Sequence, residues 1–362
     1  MYVLDFIKDV ILSAVSMLNS ASPWILFSFA IAGAIHEFVS TDAMKKTHIG
    51  STSIKGILST TLTGMCLPIC SCGTIPLGIS MYYSGAYLGP VLTFMTSSPM
   101  INPIAIILSL GLLGPQITII YVLMGFFGPL LIGLIANRLG GEELYYKPAY
   151  EAKRIQLNLA KAKRSVGQRI KSGLHWAFTE LAVVISKFTV SGMLIAGLLF
   201  TVVPQGAIQR YLGEPTMVSL LGITVVAALM YVCAVGHIPF IAAIVASGAA
   251  PGVAITFLTA GCATNIAELI SIRKMIGKRA VALYAVSVII ISQIGGMLAN
   301  TLLPNFQPVL DFDRATNSIS SANAFIIDFP EWFQLICSLI MVIYSCIALY
   351  RWVKKEMKSH AK

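Results

Sequence analysis

Apolar residues run in long blocks along this chain, with short polar intervals between them. Ile117 to Ala136 and Val281 to Leu303 hold no charged residue, and each reaches the ~20 residues that cross a bilayer as a helix. The pattern predicts an all-α, polytopic membrane protein. Its first half reads as a spanning helix near Pro23 to Phe38, a hairpin from Ile54 to Ser84, a broken crossing helix from Ala86 to Leu112, and Ile117 to Ala136. The second half reads as Ser191 to Val203, a hairpin from Met217 to Ser247, a broken helix from Ala249 to Ile272, and Val281 to Leu303. A last helix covers Trp332 to Trp352. Met1 to Ser20 and Ser172 to Lys187 carry polar faces, which predicts amphipathic helices lying in the membrane interface.

Composition removes the soluble alternatives. Hydrophobic residues make up 57% of the 362 positions and charged residues only 11%, against the roughly 25% typical of soluble domains. Asp5, Lys8 and Asp9 interrupt the first apolar stretch, so no cleavable leader is expected there. The net charge of +10 is distributed for a membrane rather than for nucleic acid. Eight Lys and Arg fall between Lys147 and Lys171, four more are Arg273, Lys274, Lys278 and Arg279, and the tail from Arg351 is basic again. Each cluster flanks an apolar segment, as the excess of Lys and Arg in cytoplasmic loops predicts. Pro304 to Glu331, with Asp311, Asp313, Asp328 and Glu331 against a single Arg, is then extracytoplasmic. The chain divides into a first membrane repeat (1–138), a basic cytoplasmic linker (139–171) and a second membrane repeat (172–303). An extracytoplasmic loop (304–330) and a C-terminal transmembrane helix with a cytoplasmic tail (331–362) follow.

The repeat rests on an ungapped self-match. Cys70-Ser71-Cys72-Gly73-Thr74-Ile75-Pro76 aligns with Cys233-Ala234-Val235-Gly236-His237-Ile238-Pro239, 163 residues later. The same offset matches Ser84-Gly85-Ala86 with Ser247-Gly248-Ala249, Gly89 with Gly252, Thr93-Phe94 with Thr256-Phe257, Thr96 with Thr259, and Asn102 with Asn265. Twelve identities in thirty-three positions, among them Gly, Pro and Asn, exceed what shared hydrophobicity produces. Equivalent loops carry opposite charge bias. Leu110 to Gln116 has no charge, whereas Arg273 to Arg279 has four positive residues. The loop around Lys45, Lys46 and Lys55 is basic, whereas Pro204 to Thr216 holds one Arg and one Glu. The repeats are therefore expected to be inverted in the membrane, an architecture of secondary transporters.

In each half the matched motifs fall where a helix is expected to stop. Pro68, Gly73 and Pro76 would break the first hairpin, and Gly236 and Pro239 the second. Ser97-Ser98-Pro99-Met100-Ile101-Asn102-Pro103 would break one crossing helix, and Gly261-Cys262-Ala263-Thr264-Asn265 the other. Broken backbone at membrane depth is tolerated only when buried in protein or lining a cavity. Freed backbone groups and half-helix dipoles there offer polar ligands, so two tips and two breaks are expected to converge near the midplane. Asn102 and Asn265 hold equivalent places, where an amide caps freed backbone, binds substrate, or does both. Ser98, with Ser97, Thr96 and Thr259, is a weaker candidate, because hydroxyls often bond back to their own helix.

Cys66, Cys70 and Cys72, with Cys233 and Cys262 at the matching tip and break, would bring up to five thiols to one region. Thiolates select soft acceptors such as Cu(I), Zn(II) or, by the same softness, trivalent arsenic. The alternative is that they pack as small apolar residues, as Cys337 and Cys346 are expected to do in the last helix. Their spacing is not that of a zinc knuckle, so a metal on Cys70 and Cys72 is expected as cargo, and no resident cofactor is expected. His237, which matches Thr74, is either a ligand or proton carrier or a partner of freed backbone. Glu268 is the only acid in the second broken helix. An intramembrane carboxylate marks a proton or ion path, unless it pairs with Arg273 about 7 Å along the helix.

At these residues a family resemblance enters. PICSCGTIPLGISMYYSGAYLGPVLTFMTSSPMINPIAIILSLGLLG, from Pro68 to Gly114, resembles the signature half of the predicted permeases that include the organoarsenical (ArsP-like) efflux permeases. AGCATNIAELISIRKMIGKRA, from Ala260 to Ala280, resembles their second half less closely. The resemblance spans roughly Pro23 to Leu303 and implies a multi-pass inner-membrane permease exporting trivalent organoarsenicals. It implies Cys66, Cys70, Cys72 and the break from Ser98-Pro99 to Asn102-Pro103 as the substrate region. A related branch with the same Cys-Ser-Cys-Gly pattern is associated with divalent-metal efflux. The chain has no Gly-x4-Gly-Lys-Ser/Thr motif, so transport is expected to be secondary, proton-exchanging and not enzymatic. Its partners would be lipid, a small soft metalloid or metal, and protons. Export of Zn or Cu stays open, as does a membrane dithiol redox protein built on Cys70 and Cys72.

Overall fold

A chain in lipid must close its backbone hydrogen bonds internally, and the apolar blocks do so as helices. The computed structural model describes residues 2–38, 50–67, 69, 71–146, 165–202, 214–230, 233–304, 306, 321 and 329–360, and no strand occurs among them. α1 is Tyr2–Phe38. The first hairpin is α2 (Ile54–Cys66) and α3 (Ser71–Tyr83), the first crossing is α4 (Leu88–Met100) and α5 (Pro103–Leu112), and α6 is Pro115–Leu139. α7 (Val166–Trp176) passes through a π-helical turn, Ala177–Leu181, into α8 (Ala182–Val202). The second hairpin is α9 (Met217–Met230) and α10 (Ala234–Ala246), and the second crossing is α11 (Pro251–Ala263) and α12 (Ile266–Met275). α13 (Lys278–Leu302) and α14 (Glu331–His360) complete the described helices. Among the described residues seven stretches are long and apolar enough to cross a membrane: Val10–Phe38, Leu88–Leu112, Pro115–Leu139, Val166–Leu194, Pro251–Met275, Lys278–Leu302 and Glu331–Lys354. Most of the basic linker (147–164) and most of the 304–330 loop lie outside the described residues.

Five helices start 163 residues after a counterpart: Ile54 and Met217, Ser71 and Ala234, Leu88 and Pro251, Pro103 and Ile266, Pro115 and Lys278. Tertiary bonds recur at the same spacing. Thr93 Oγ1 donates to the Pro129 carbonyl at 3.2 Å, and Thr256 Oγ1 to the Ser292 carbonyl at 3.2 Å. The Gly89 N–H donates to Asn137 Oδ1 at 3.0 Å, and the Gly252 N–H to Asn300 Oδ1 at 2.7 Å. Glycine is required at both places, because the crossing helix and its return helix touch through backbone. A Cβ on Gly89 would lie 2.5 Å from the Gly133 carbonyl oxygen, and one on Gly252 would lie 2.2 Å from that of Gly296.

Where equivalent helices meet, they run antiparallel. Gly128 of α6 faces Ile291 of α13, and Met124, one turn earlier, faces Gly295, one turn later. The same reversal holds between α1 and the α7–α8 helix. Phe29 packs on Phe178, Gly33 on Gly173, and the Arg169 guanidinium donates to the Glu37 carbonyl at 2.9 Å.

The two halves interlock rather than sit side by side. One apolar core joins α1, α3 and α4 to α12 and α13 through Phe29, Ile75, Leu92, Ile272 and Val288. The other joins α9, α10 and α11 to α5 and α6 through Ile223, Ile241, Phe257, Ile104 and Ile117. Each hairpin thus packs on the second leg of the other half's crossing helix. The two crossing segments are 83% buried over their apolar windows, against 28% for α1 and α14, so the crossings form the interior and α1 and α14 turn apolar faces to lipid.

One end of the bundle gathers basic residues of both halves. Asn137 Nδ2 donates to the Thr52 carbonyl at 3.1 Å, and the Leu88 N–H to the Leu144 carbonyl at 2.9 Å. The Glu143 carboxylate accepts the N–H groups of Arg279 and Ala280. Lys55, Arg138, Lys278 and Arg279 therefore lie at a common end. Lys274 Nζ sits 4.8 Å from the Phe188 ring and Lys187 Nζ 5.0 Å from the Trp352 ring, which brings the C-terminal part of α14 to that end as well.

Two expectations change. Met1 to Ser20 and Ser172 to Lys187 are not separate interfacial helices, because each continues into the span that follows it. Pro23 sits inside α1, and the Asn19 carbonyl that such a proline leaves free accepts from Ser22 Oγ at 3.4 Å. Nor do Gly73, Pro76, Pro99, Gly236 and Pro239 break helices: they lie inside α3, α4 and α10. The hairpin turns come earlier, between Cys66 and Ser71 and between Met230 and Ala234. Pro76 and Pro239 each remove one backbone bond in the first turns of a helix that nevertheless continues past them. Gly73 serves packing, since a Cβ there would lie 2.5 Å from Ser28 Oγ of α1. Pro68 lies outside the described residues.

Candidate functional site at the helix breaks

The crossing helices stop for two residues at equivalent places. After Met100, Ile101 and Asn102 are extended, and α5 restarts with Pro103 at its first position and Asn102 as its N-cap. Proline disfavours a helical residue before it, so Pro103 enforces this break. After Ala263, Thr264 and Asn265 leave the helix and Asn265 caps α12. Both amides satisfy a freed donor: Asn102 Oδ1 accepts from the Ala105 N–H and Asn265 Oδ1 from the Glu268 N–H, each at 2.9 Å. The capping role weighed for both residues is therefore present.

The first hairpin tip lies between the two breaks. Ser98 Oγ donates to the Leu67 carbonyl at 3.0 Å and lies 3.3 Å from that of Ile69, which ties the tip to the first crossing. Asn265 Nδ2 donates to Ser71 Oγ, the first residue of α3, at 3.1 Å, which ties the tip to the second crossing. Cys70 and the Cys72 side chain lie outside the described residues. Cys66 closes α2 and is exposed.

Glu268 is fully buried at the second break. Its Oε2 accepts from Asn265 Nδ2 at 3.2 Å and its Oε1 from the Tyr284 hydroxyl at 2.9 Å. Arg273, five residues on, is exposed, so the carboxylate oxygens turn inward to Asn265 and Tyr284. The same Tyr284 hydroxyl lies 3.4 Å from the Met95 carbonyl of α4. That carbonyl is the one Pro99, four residues on, leaves without its helical donor. Glu268 thus contacts the first half twice, through Asn265 to the hairpin tip and through Tyr284 to the crossing helix.

The second tip is less polar. Cys233 is half-buried and precedes α10 as its N-cap residue, and its N–H donates to His237 Nδ1 at 3.2 Å. The His237 ring packs against Phe240 and Phe257. His237 thus engages freed backbone at its own tip. Cys262 is fully buried in α11, within electrostatic range of Cys233, Glu268 and Tyr121. Tyr121, which matches Tyr284 in the repeat, donates to the Met100 carbonyl at the end of α4. Among the described residues no three His, Cys, Asp or Glu side chains lie close enough together to hold a metal ion.

Ser71, Tyr121 and Tyr284 are the site residues that reading motifs overlooks. The signal for the two tyrosines is the same 163-residue offset carried beyond Asn102. It pairs Tyr121 with Tyr284, Gly133 with Gly296 and Asn137 with Asn300.

Comparison with known proteins follows this geometry. A family described as predicted permease matches residues 7–301, which takes in both hairpins and both breaks. The UPF0718 protein MJ0584 of Methanocaldococcus jannaschii is 27% identical, over 77% of this chain and 91% of that protein. The UPF0718 protein YcgR of Bacillus subtilis is 24% identical, over 78% of this chain and 94% of its own length. No solved structure matches. With seven apolar helices and a family match over most of its length, the chain belongs to the predicted permeases, a family of multi-pass membrane transporters.

Proposed function

We propose that this permease is a secondary-active exporter that alternates between two inverted repeats and is driven by protons at Glu268. Its cargo is a soft, thiophilic species, with trivalent organoarsenicals first. The observation that carries the reading is the fully buried Glu268 at one break, bonded through Asn265 and Tyr284 to two elements of the other half. A carboxylate inside a membrane bundle is costly to retain unless it serves a proton or ion path. Antiparallel packing of α6 on α13 supports inversion. So does the gathering of basic loops at one end, which the positive-inside bias assigns to the cytoplasm together with the C-terminus. The hairpins α2–α3 and α9–α10 then enter and leave on opposite sides. Their thirteen- and fourteen-residue helices rise only about 20 Å, which supports re-entry rather than crossing.

The proton acts through donor and acceptor roles. Ionised, Glu268 accepts from Tyr284 and Asn265. Protonated, it becomes a donor on one oxygen, which frees the Tyr284 hydroxyl for the Met95 carbonyl 3.4 Å away. Protonation thus transfers a hydrogen bond from within the second half to the first. The thiols supply cargo chemistry: Cys70 and Cys72 flank Ser71, which Asn265 holds, and Cys262 is buried within electrostatic range of Glu268.

The test is flux into everted vesicles of methylarsenite, arsenite, Cu(I), Zn(II) and an inorganic anion, with and without a proton gradient. Gradient-dependent accumulation of methylarsenite is expected. Accumulation of Zn(II) or Cu(I) alone would replace the cargo, and a titratable dithiol with no flux would replace the class.

A further inference from the structure

The repeat makes the two ends of the molecule comparable position by position, and they differ in chemistry. At the basic end, α3 of the first half is bonded to the second half. The Tyr83 hydroxyl donates to the carbonyl of Met275, the last residue of α12, at 2.7 Å. The Tyr82 hydroxyl donates to the Glu143 carbonyl at 3.0 Å. The Glu143 carboxylate in turn accepts the N–H groups of Arg279 and Ala280 at the start of α13. A carboxylate at a helix N-terminus satisfies donors that lack an intrahelical partner and complements the helix dipole, and a hydroxyl on a terminal carbonyl does the same at the other pole. The Tyr146 ring closes over both tyrosines, 5.8 Å from Tyr82 and 4.9 Å from Tyr83. At the opposite end the matching residues are Val245, Ala246, Leu112 and Phe306, in place of Tyr82, Tyr83, Met275 and Glu143. None of their side chains donates or accepts a hydrogen bond.

We infer that Tyr82, Tyr83 and Glu143 form a latch that holds the basic end shut, and that the opposite end, whose matching positions carry no such groups, is the end that opens first. The structure is then the state closed at the basic end. The inference rests on the alternating-access reading for its transport meaning, but the latch itself is a property of one chain and needs no cargo. Both tyrosine bonds run from α3, so loss of the two hydroxyls unties the first hairpin from the α12 and α13 termini without removing a ring.

The experiment places a reporter thiol, Ala267→Cys, at a buried position of α12 beneath the latch. Its reaction with a membrane-impermeant maleimide is followed peptide by peptide in sealed vesicles of either orientation, without substrate. A net hydrogen bond is worth about 1 kcal/mol, which corresponds to roughly fivefold per bond. Tyr82→Phe with Tyr83→Phe is therefore expected to speed labelling from the basic side by about tenfold or more, with no change from the other side. Glu143→Gln, which retains one carbonyl acceptor, is expected to give a smaller rise on the same side. An unchanged rate from the basic side in both variants would overturn the latch, as would an equal rise from both sides. If the one-sided rise is seen but no tested species moves in the flux assay, the latch stands and the exporter reading falls.

Discussion

Glu268→Gln is expected to leave downhill exchange running while abolishing accumulation against a gradient. Glutamine retains the shape of the acid and an oxygen to accept from Tyr284, so the buried hydroxyl is not orphaned. Asn265 Nδ2 loses one acceptor but retains Ser71 Oγ. The structural cost is then that of one hydrogen bond, about 1 kcal/mol. The functional cost is total, because an amide does not release a proton. With one proton exchanged per cargo molecule, each unit of pH gradient supports about a tenfold concentration ratio, since 1.4 kcal/mol is tenfold. The native chain is expected to approach that ratio in vesicles and the Glu268→Gln chain to stop near unity. Accumulation by the variant equal to the native level would remove Glu268 from the coupling. Glu268→Ala is the poorer choice, since it leaves Tyr284 and Asn265 without their partner in a fully buried place.

The second large effect is on cargo. Cys70→Ser with Cys72→Ser removes two soft donors from the first hairpin tip and replaces them with hydroxyls of similar size, which have little affinity for a thiophilic metalloid. The tip itself is held by Ser98 and Asn265, which the change does not touch. Methylarsenite flux is expected to fall by more than the roughly 10–100-fold that loss of an outer-shell partner costs a metal site. The protein should reach the membrane in native amount, measured by blotting of the same vesicles. Unimpaired flux would reduce the thiols to packing residues.

The helical class, six of the seven spans and the two breaks are legible because lipid permits few alternatives and because Asn102-Pro103 and Asn265 are strong cap signals; the remaining span, expected at Ser191 to Val203, runs instead over Val166–Leu194. The hairpin turns are legible only to within a few residues. Gly73, Pro76, Gly236 and Pro239 look like breakers in a string of letters, yet each lies inside a helix. Gly73 is explained by the close approach of α1 and of the Ile69 side chain, which no local pattern announces. The same limit hides Tyr284. A tyrosine in an apolar helix reads as core; its bond to Glu268 joins two helices sixteen residues apart, and its approach to Met95 spans 189 residues of chain. The offset that equates it with Tyr121 is nevertheless in the sequence, so a self-match carried to Leu139 brings both tyrosines into view. The one-piece α1 and α7–α8 helices are obscured by their polar N-terminal turns and by Pro23, whose freed carbonyl is rescued by the neighbouring serine.

Every functional step above depends on two repeats that face opposite sides of the membrane. The most direct measurement places single cysteines at Gln116, at the start of α6, and at Lys278, at the start of α13, both exposed and nearly equivalent in the repeat. An impermeant thiol reagent is applied to right-side-out and inside-out vesicles, and modification is read at each site by peptide mass. The account predicts that Lys278→Cys reacts only from the cytoplasmic side and Gln116→Cys only from the other. Reaction of both from the same side would contradict it.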